Sequence, residues 1–243
     1  MSSNISSTVL RAIKIINYLN ETPHPQGIKD ISENLNISPS ITHRLLTTLK
    51  MEGMVFQETD SKKYSLGTIF IDYASKIITD FPFISLIDPH LDKLKEETQE
   101  TVGFYMLTGT DRICVSEHVS DQQIRREAGI GNRIPLHLGS SGRVILPYLN
   151  KNLQKQLLDH LPVKDRDTLQ TKLDEILKTG YSINQEELTE NVAALSAPVF
   201  GTKGKIIGAI SISGPSFRWN KESMEPFIPL LLKTVESISK SLY

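Results

Sequence analysis

Residues 28–66 read IKDISENLNISPSITHRLLTTLKMEGMVFQETDSKKYSL. Ile28, Ile31 and Leu35 recur at helical spacing and Asn36 breaks the run. Ser38 followed by Pro39 then supplies an N-cap and a first helical residue. A second helix is therefore predicted from Pro39, with Ile41, Leu45 and Leu49 as its buried stripe, Leu46 widening the stripe and Gly53 ending the helix. Its other face carries Ser40, His43, Arg44, Thr47 and Lys50, and Ser38 and Thr42 are counted with them. These are donors and short hydroxyls suited to base edges and phosphates in a major groove. Met54–Gln57 and Tyr64–Leu66 can pair as two short strands around the polar tip Glu58–Lys63, which puts Lys62 and Lys63 where a wing meets a sugar-phosphate backbone. Helix, three-residue turn, capped helix and hairpin make up a winged helix-turn-helix, the geometry of a double-stranded DNA reader.

Charge limits what one such module can do. Residues 1–80 hold eight basic side chains (Arg11, Lys14, Lys29, Arg44, Lys50, Lys62, Lys63, Lys76) and eight acidic ones (Glu21, Asp30, Glu33, Glu52, Glu58, Asp60, Asp72, Asp80). With no net charge to draw it to DNA, a single copy is expected to bind weakly and in a salt-sensitive way, so a homo-oligomer is expected to act. The 243 residues, 39% hydrophobic and 23% charged, suit a globular protein of two domains. The polar start Met1–Thr8 has no apolar core of a secretory signal. Apolar runs elsewhere are interrupted too early for a membrane span, and the single cysteine, Cys114, has no disulfide partner. A cytoplasmic protein without membrane attachment is the expectation.

Before the module, Ser7 or Thr8 can cap a helix with the stripe Val9, Ala12, Ile13, Ile16 and Leu19, ended by Thr22–Gly27. After it, Gly67 opens a helix with Ile69, Phe70, Tyr73 and Ile77 on one side, a candidate dimer seam or a face packed on its own module. Residues 79–82 form the expected boundary. The parts are then 1–66, the DNA reader; 67–80, a linker helix; and 81–243, a second domain. There, helical spacing at Leu86, Leu91 and Leu94 gives way to alternation from Val102 to Leu107, a turn at Gly109–Asp111 and a strand Ile113–Val119. Strands at Ile124–Ala128, Val192–Phe200 and Lys205–Ser213, and helices at Gly139–Leu149, around Leu169–Leu177 and from Lys221, complete an α+β domain with an antiparallel sheet flanked by helices.

The second domain reads as a small polar pocket. On its last strand Ile206, Ile210 and Ile212 take one face, leaving Ser211 and Ser213 beside Ala209 on the other. Arg126 is expected to share a strand face with Ile124 and Ala128, where an arginine needs an anion, either an internal glutamate or a bound carboxylate. Ser140 and Ser141 open a helix, as caps or as part of an anion site. Other chemistry is less well written. Gly139-Ser140-Ser141-Gly142 falls one residue short of a nucleophile elbow, with His137 nearby. Cys114 and His118 on one strand stand roughly 13 Å apart, too far for a shared metal ion. The chain is therefore read as non-enzymatic, without cofactor or metal. A winged helix that contacts protein rather than DNA is the remaining alternative.

Over nearly its whole length the chain resembles the IclR family of bacterial transcriptional regulators. The amino-terminal likeness rests on Ile37-Ser38-Pro39-Ser40-Ile41-Thr42-His43-Arg44-Leu45-Leu46, Glu52-Gly53-Met54-Val55 and Tyr64-Ser65-Leu66-Gly67. The second domain adds Glu100-Thr101-Val102, the run Gly131-Asn132-Arg133-Ile134-Pro135-Leu136-His137 to Gly142-Arg143, Gly180-Tyr181, Glu186-Glu187, Ala197-Pro198-Val199 and Ile210-Ser211-Ile212-Ser213-Gly214-Pro215. The resemblance implies a GAF-like effector domain on a linker helix and dimers or tetramers on inverted-repeat operators. It also implies a small-molecule effector pocket at Arg126, Ser140, Ser141, Asn184, Val192, Ala194, Ser211 and Ser213. The chain departs from the family pattern at Asn184, where an acidic residue is frequent, at Ala194, where cysteine is common, and at Asn191, where glycine is common.

Overall fold

The computed structural model describes residues 5–81 and 83–242, and contacts divide the chain into two units that meet at residues 81 and 82. Pro82, part of the expected boundary, and Met1–Asn4 of the polar start lie outside the described residues.

The first unit opens with α1 (Ser7–Glu21), whose cap is Ser6, one residue before the expected caps; the Ser6 hydroxyl accepts from Val9 N. Helix α2 (Ile28–Leu35) starts behind a box in which Asp30 Oδ2 accepts from Gly27 N at 3.2 Å. It stops at Asn36, whose left-handed backbone (φ 53°) lets Ile37 N reach back to Ser32 O. Helix α3 (Pro39–Met51) follows three residues later, and Ile15, Leu19, Ile31, Leu45, Leu46, Leu49, Val55 and Tyr64 close the core beneath it. The stripe expected on α1 turns only partly inward: Leu19 is buried and Ala12 and Ile16 half-buried, whereas Val9 and Ile13 stay exposed, and the fully buried Ile15 lies outside the expected stripe.

Strands β1 (Val55–Gln57) and β2 (Tyr64–Leu66) pair antiparallel as the wing, with a further bridge from Gln26 to Tyr64. The hairpin base needs glycine at position 67, because a Cβ there would lie 1.9 Å from Gly53 O. Helix α4 (Ile69–Asp80) then leaves Ile71, Tyr73 and Ile77 exposed and half-buries Ile69 and Phe70; the rings of Phe70 and Tyr73 meet edge to face.

The second unit begins with α5 (Phe83–Thr98) and is built on a six-stranded antiparallel sheet in the order β5-β4-β3-β8-β7-β6. Its strands are β3 (Thr101–Thr108), β4 (Asp111–His118), β5 (Arg133–Pro135), β6 (Ser182–Gln185), β7 (Val192–Phe200) and β8 (Ile206–Pro215). Between β5 and β6 come α6 (Gly139–Arg143), a 3-10 turn at Leu146–Tyr148, α7 (Lys151–Asp159) and α8 (Val163–Thr179). After β8 come α9 (Lys221–Met224) and α10 (Ile228–Ser241). One sheet face, with Val102, Phe104, Leu195, Val199, Ile210 and Ile212, packs on Leu91 and Leu94 of α5 and Leu231, Val235 and Ile238 of α10. The other face has small side chains and meets α6 through α8, where Leu136, Val144, Ile145, Leu157, Leu169, Leu173 and Ile176 form a second cluster. The described residues contain no helix long and apolar enough to cross a membrane.

Several expected elements are corrected. Ile124–Ala128 is irregular rather than a strand, because the Glu117 carboxylate accepts from Ala128 N and Gly129 N and Thr101 Oγ1 donates to Arg126 O, taking the bonds a strand partner would make. The helix expected over Gly139–Leu149 ends at Arg143 and passes into the 3-10 turn. A register shift at Val199/Phe200 sends Ile206 to the side of Ala209, away from Ile210 and Ile212, and Ile207 to the α5 and α10 side. Strand β4 starts two residues before the expected Ile113, which brings Arg112 into the sheet.

Candidate functional site

The exposed side of α3 presents Ser40, His43, Arg44, Thr47 and Lys50, and the wing tip presents Lys62 and Lys63. Arg44, Lys50, Lys62 and Lys63 have no carboxylate within 4 Å among the described residues, so their charges stand free. Lys50 Nζ donates to Gln57 Oε1 at 3.0 Å, and Gln57 Nε2 donates to Lys62 O, which ties the end of α3 to the wing. Thr47 Oγ1 turns to its own helix, donating to His43 O at 2.9 Å. Ser38 occupies the N-cap position, yet its hydroxyl makes no capping bond and is exposed.

Thr42 is a correction. It is fully buried, with Oγ1 3.1 Å from Ser32 Oγ, and it locks α2 to α3 instead of facing outward. The spacing explains the error, since Thr42 lies one position past Ile41 at the margin of the buried stripe.

In the second unit, all eight sequence-expected positions (Arg126, Ser140, Ser141, Asn184, Val192, Ala194, Ser211 and Ser213) line one cavity. It is partly open, with about 410 Å³ of atom-free space when the solvent at its mouth is included, of which about 40 Å³ can hold the centre of a water molecule. Tyr105, Arg112, Gly139, Ile134, Leu188 and Thr189 complete the wall. Ser140 Oγ, Ser196 Oγ and Ser211 Oγ form a chain at 2.8 and 2.9 Å across α6, β7 and β8. Asn184 Oδ1 accepts from Glu187 N at 3.2 Å, which anchors the turn carrying Leu188 and Thr189 over the cavity. That turn closes at Asn191 with φ 59°, a left-handed backbone that favours glycine and that asparagine tolerates.

Arg126 is half-buried but not on a strand, and its Nη1 donates to Glu127 O at 2.5 Å. The deeply placed cation is Arg112, only 1% exposed, with Nε donating to Ser141 Oγ at 2.8 Å and Nη1 to Pro135 O at 2.7 Å. Burial, aided by the charge of Arg143, lowers its pKa to about 10, so it remains a cation at neutral pH. Gly142 makes room for it, since a Cβ there would fall 2.2 Å from Leu136 O and 2.6 Å from Arg112 Nη1. Arg143, equally buried, is neutralised by Glu187 and bonds Ile183 O at 3.0 Å; Glu187 also accepts from Lys172 Nζ at 2.9 Å.

Among the described residues, the serine–histidine pairing weighed above does not form. Ser140 bonds Ser196 and Ser141 bonds Arg112, and neither bonds His137. The five residues of α6 are too few for an appreciable helix dipole, which removes that part of the expected anion site. Burial pushes the Cys114 thiol up to about 12, and His118 sits between Asp88 and Asp92 of α5 at 3.0 and 3.2 Å. The described residues contain no group of three or more His, Cys, Asp or Glu side chains placed to hold a metal.

The model of the bacterial transcriptional regulator IclR C-terminal domain matches residues 75–240, and that of the IclR helix-turn-helix domain matches residues 8–59. The chain belongs to the IclR family. This IclR-family regulator is 28% identical to the HTH-type transcriptional regulator KdgR of Escherichia coli K12, over 97% of this chain and 92% of that protein. It is likewise 28% identical to the transcriptional repressor AllR of Klebsiella pneumoniae, over 96% and 88%. The crystal structure of Thermotoga maritima IclR aligns with a TM-score of 0.76 at 25% identity, covering 97% of this chain and 98% of that one. An IclR homolog from Microbacterium hydrocarbonoxydans complexed with 4-hydroxybenzoate shares the fold, with a TM-score of 0.85 at 19% identity and coverage of 97% and 99%. The relatives are named as transcriptional regulators and repressors, a non-enzymatic DNA-binding family.

Sequence reading of this IclR-family regulator missed Arg112, Tyr105, Ser196 and Thr189. For Arg112 a signal existed: carrying the alternation of Cys114 and Ser116 back by two positions puts Arg112 on their face. Tyr105 and Ser196 gave none, because their roles depend on which strands become neighbours.

Proposed function

We propose that this IclR-family regulator acts in the cytoplasm as a homodimer or tetramer on an inverted-repeat operator. A small organic carboxylate in the second unit's cavity changes its DNA occupancy. The observation that carries the effector reading is a small, partly open cavity lined by hydroxyls, an amide and two arginines, with no acidic side chain in its wall. A carboxylate satisfies such donors through charge-assisted bonds, while the serines and Asn184 select its other polar groups. The relative complexed with 4-hydroxybenzoate supports this reading, since its ligand is itself a carboxylate.

Ser38, Ser40, His43, Arg44, Thr47, Lys50, Lys62 and Lys63 form the proposed DNA surface, without Thr42. Oligomerisation is supported by the apolar side chains left open on α1 and α4, among them Val9, Ile13, Ile71, Tyr73 and Ile77. A ligand shifts occupancy only by its difference in affinity for the DNA-competent and incompetent states, so the response is graded. Selecting bound fragments from genomic DNA, then titrating carboxylates and their neutral amides against the recovered operator, tests the whole reading. It fails if no specific fragment is enriched, or if amides act as well as acids.

A further inference from the structure

We propose that the cavity is built for a dianion, a short aliphatic dicarboxylate, rather than for a singly charged acid. This rests on the effector reading above and adds the charge of the ligand to it.

Two cations line the cavity, Arg112 and Arg126, and every acid near them is already engaged. Asp111, whose charge Arg112 feels, pairs with Arg133 at 3.6 Å. Glu117 spends one carboxylate oxygen on Ala128 N and the other on Gly129 N, each at 2.9 Å. Glu127 faces Arg125 at 3.9 Å, and Glu187 is shared by Arg143 and Lys172. Arg112 and Arg126 therefore bond only neutral oxygens: Ser141 Oγ and Pro135 O for the first, Glu127 O for the second. A buried cation such as Arg112 without a counter-ion is unfavourable unless an anion arrives, and the half-buried Arg126 brings a second cation without a carboxylate partner to the same space. The contrast is Arg143, equally buried but outside the wall, to which the fold supplies Glu187.

Tyr105, whose ring lies under the Arg112 guanidinium at 5.8 Å, adds a neutral donor to the same wall. It is 6% exposed, lines the cavity, and its hydroxyl has no hydrogen-bond partner among the described residues. Burial raises its pKa despite the opposing pull of Arg112 and Arg126, so it stays protonated and able to donate. The confined space favours a short chain between the two carboxylates over an aromatic or long acid.

The test uses the full chain and isothermal titration with malonate, succinate and glutarate, each beside its own monoamide, with butyrate as a single-charge control. The best diacid is expected to bind at least tenfold tighter than its monoamide, a difference of about 1.4 kcal/mol. Arg126→Gln is the informative variant, because Arg112 also holds Ser141 and Pro135 in place. In folded Arg126→Gln the diacid should drop to the affinity of the monoamide, whose own affinity changes less than threefold. Equal affinity of diacid and monoamide, or a preference that survives in Arg126→Gln, overturns the dianion while leaving the effector reading intact. Absence of binding by every carboxylate overturns both.

Discussion

The two units use positive charge in opposite ways. On the reader, Arg44, Lys50, Lys62 and Lys63 stand in solvent, where a cation without a carboxylate partner loses little. In the second unit Arg112 and Arg143 are buried, and each is held by several oxygens in a fixed geometry. The exposed set is screened by salt. The buried set is screened far less, and of it only Arg112 lines the cavity. An arginine is thus informative only with its depth and its partners.

The largest effect that would test this contrast lies at Glu100, 3% exposed and gripped by Arg218 through Nε at 2.5 Å and Nη2 at 2.9 Å. Arg218→Met leaves the carboxylate buried and unpaired, and should destabilise the second unit by about 3 kcal/mol. Denaturant unfolding followed by Trp219 fluorescence measures it; a loss under about 1 kcal/mol would mean the buried pair behaves like a surface one.

On the reader, Arg44→Ala should weaken all DNA sequences alike, roughly tenfold, and reduce the salt slope by about one counter-ion. Ser40 or Thr47 substitutions should instead alter sequence preference. Binding isotherms at several salt concentrations separate the two, and an unchanged slope in Arg44→Ala would remove it from the phosphate contacts.

Thr42→Val sharpens the border between surface and core on the same helix. Loss of the bond to Ser32 should cost about 1 kcal/mol and leave DNA sequence preference untouched. A changed preference with unchanged melting would return Thr42 to the DNA-facing side.

The smallest effect concerns pH. Burial raises the Glu187 carboxyl, but hydrogen bonds from Lys172 and Arg143 outweigh it and hold the group below its ordinary value. A depressed carboxylate contributes stability that is present above its unfolded pKa of 4.5 and lost as pH falls through the lower folded value. Because the side chain is 39% exposed, the contribution should stay below about 1 kcal/mol. Melting curves from pH 6 down to pH 3 should fall less steeply in Glu187→Gln than in the unaltered protein; parallel curves would show that the contact does not matter.

The reader was legible because its parts are local. The apolar period of α2 and α3, the stop at Asn36, Pro39 at the first helical turn and the short hairpin each depend on residues a few positions apart. The motifs of the second domain marked eight positions that do share a cavity. The period of two in β8 also placed Ser211 and Ser213 beside Ala209 on the face of small side chains. Three features were out of reach: the irregular path of Ile124–Ala128, the face change at Ile206 and the pairing of Arg112 with Ser141. Each is settled by groups from distant segments, namely Glu117 and Thr101, the Val199/Phe200 register shift, and the packing of α6 on β6, β7 and β8, which brings Ser141 to Arg112.

Sequence alone thus determined the helices and hairpin of the first unit, the antiparallel α+β character of the second and the family pattern the chain follows, because these follow from backbone sterics and short-range periodicity. Only the tertiary structure decided that Thr42 is inside, that Arg112 rather than Arg126 is the deeply buried cation, and that the acids around both arginines are already engaged. Burial and charge pairing depend on distances across the sheet, which no spacing along the chain encodes.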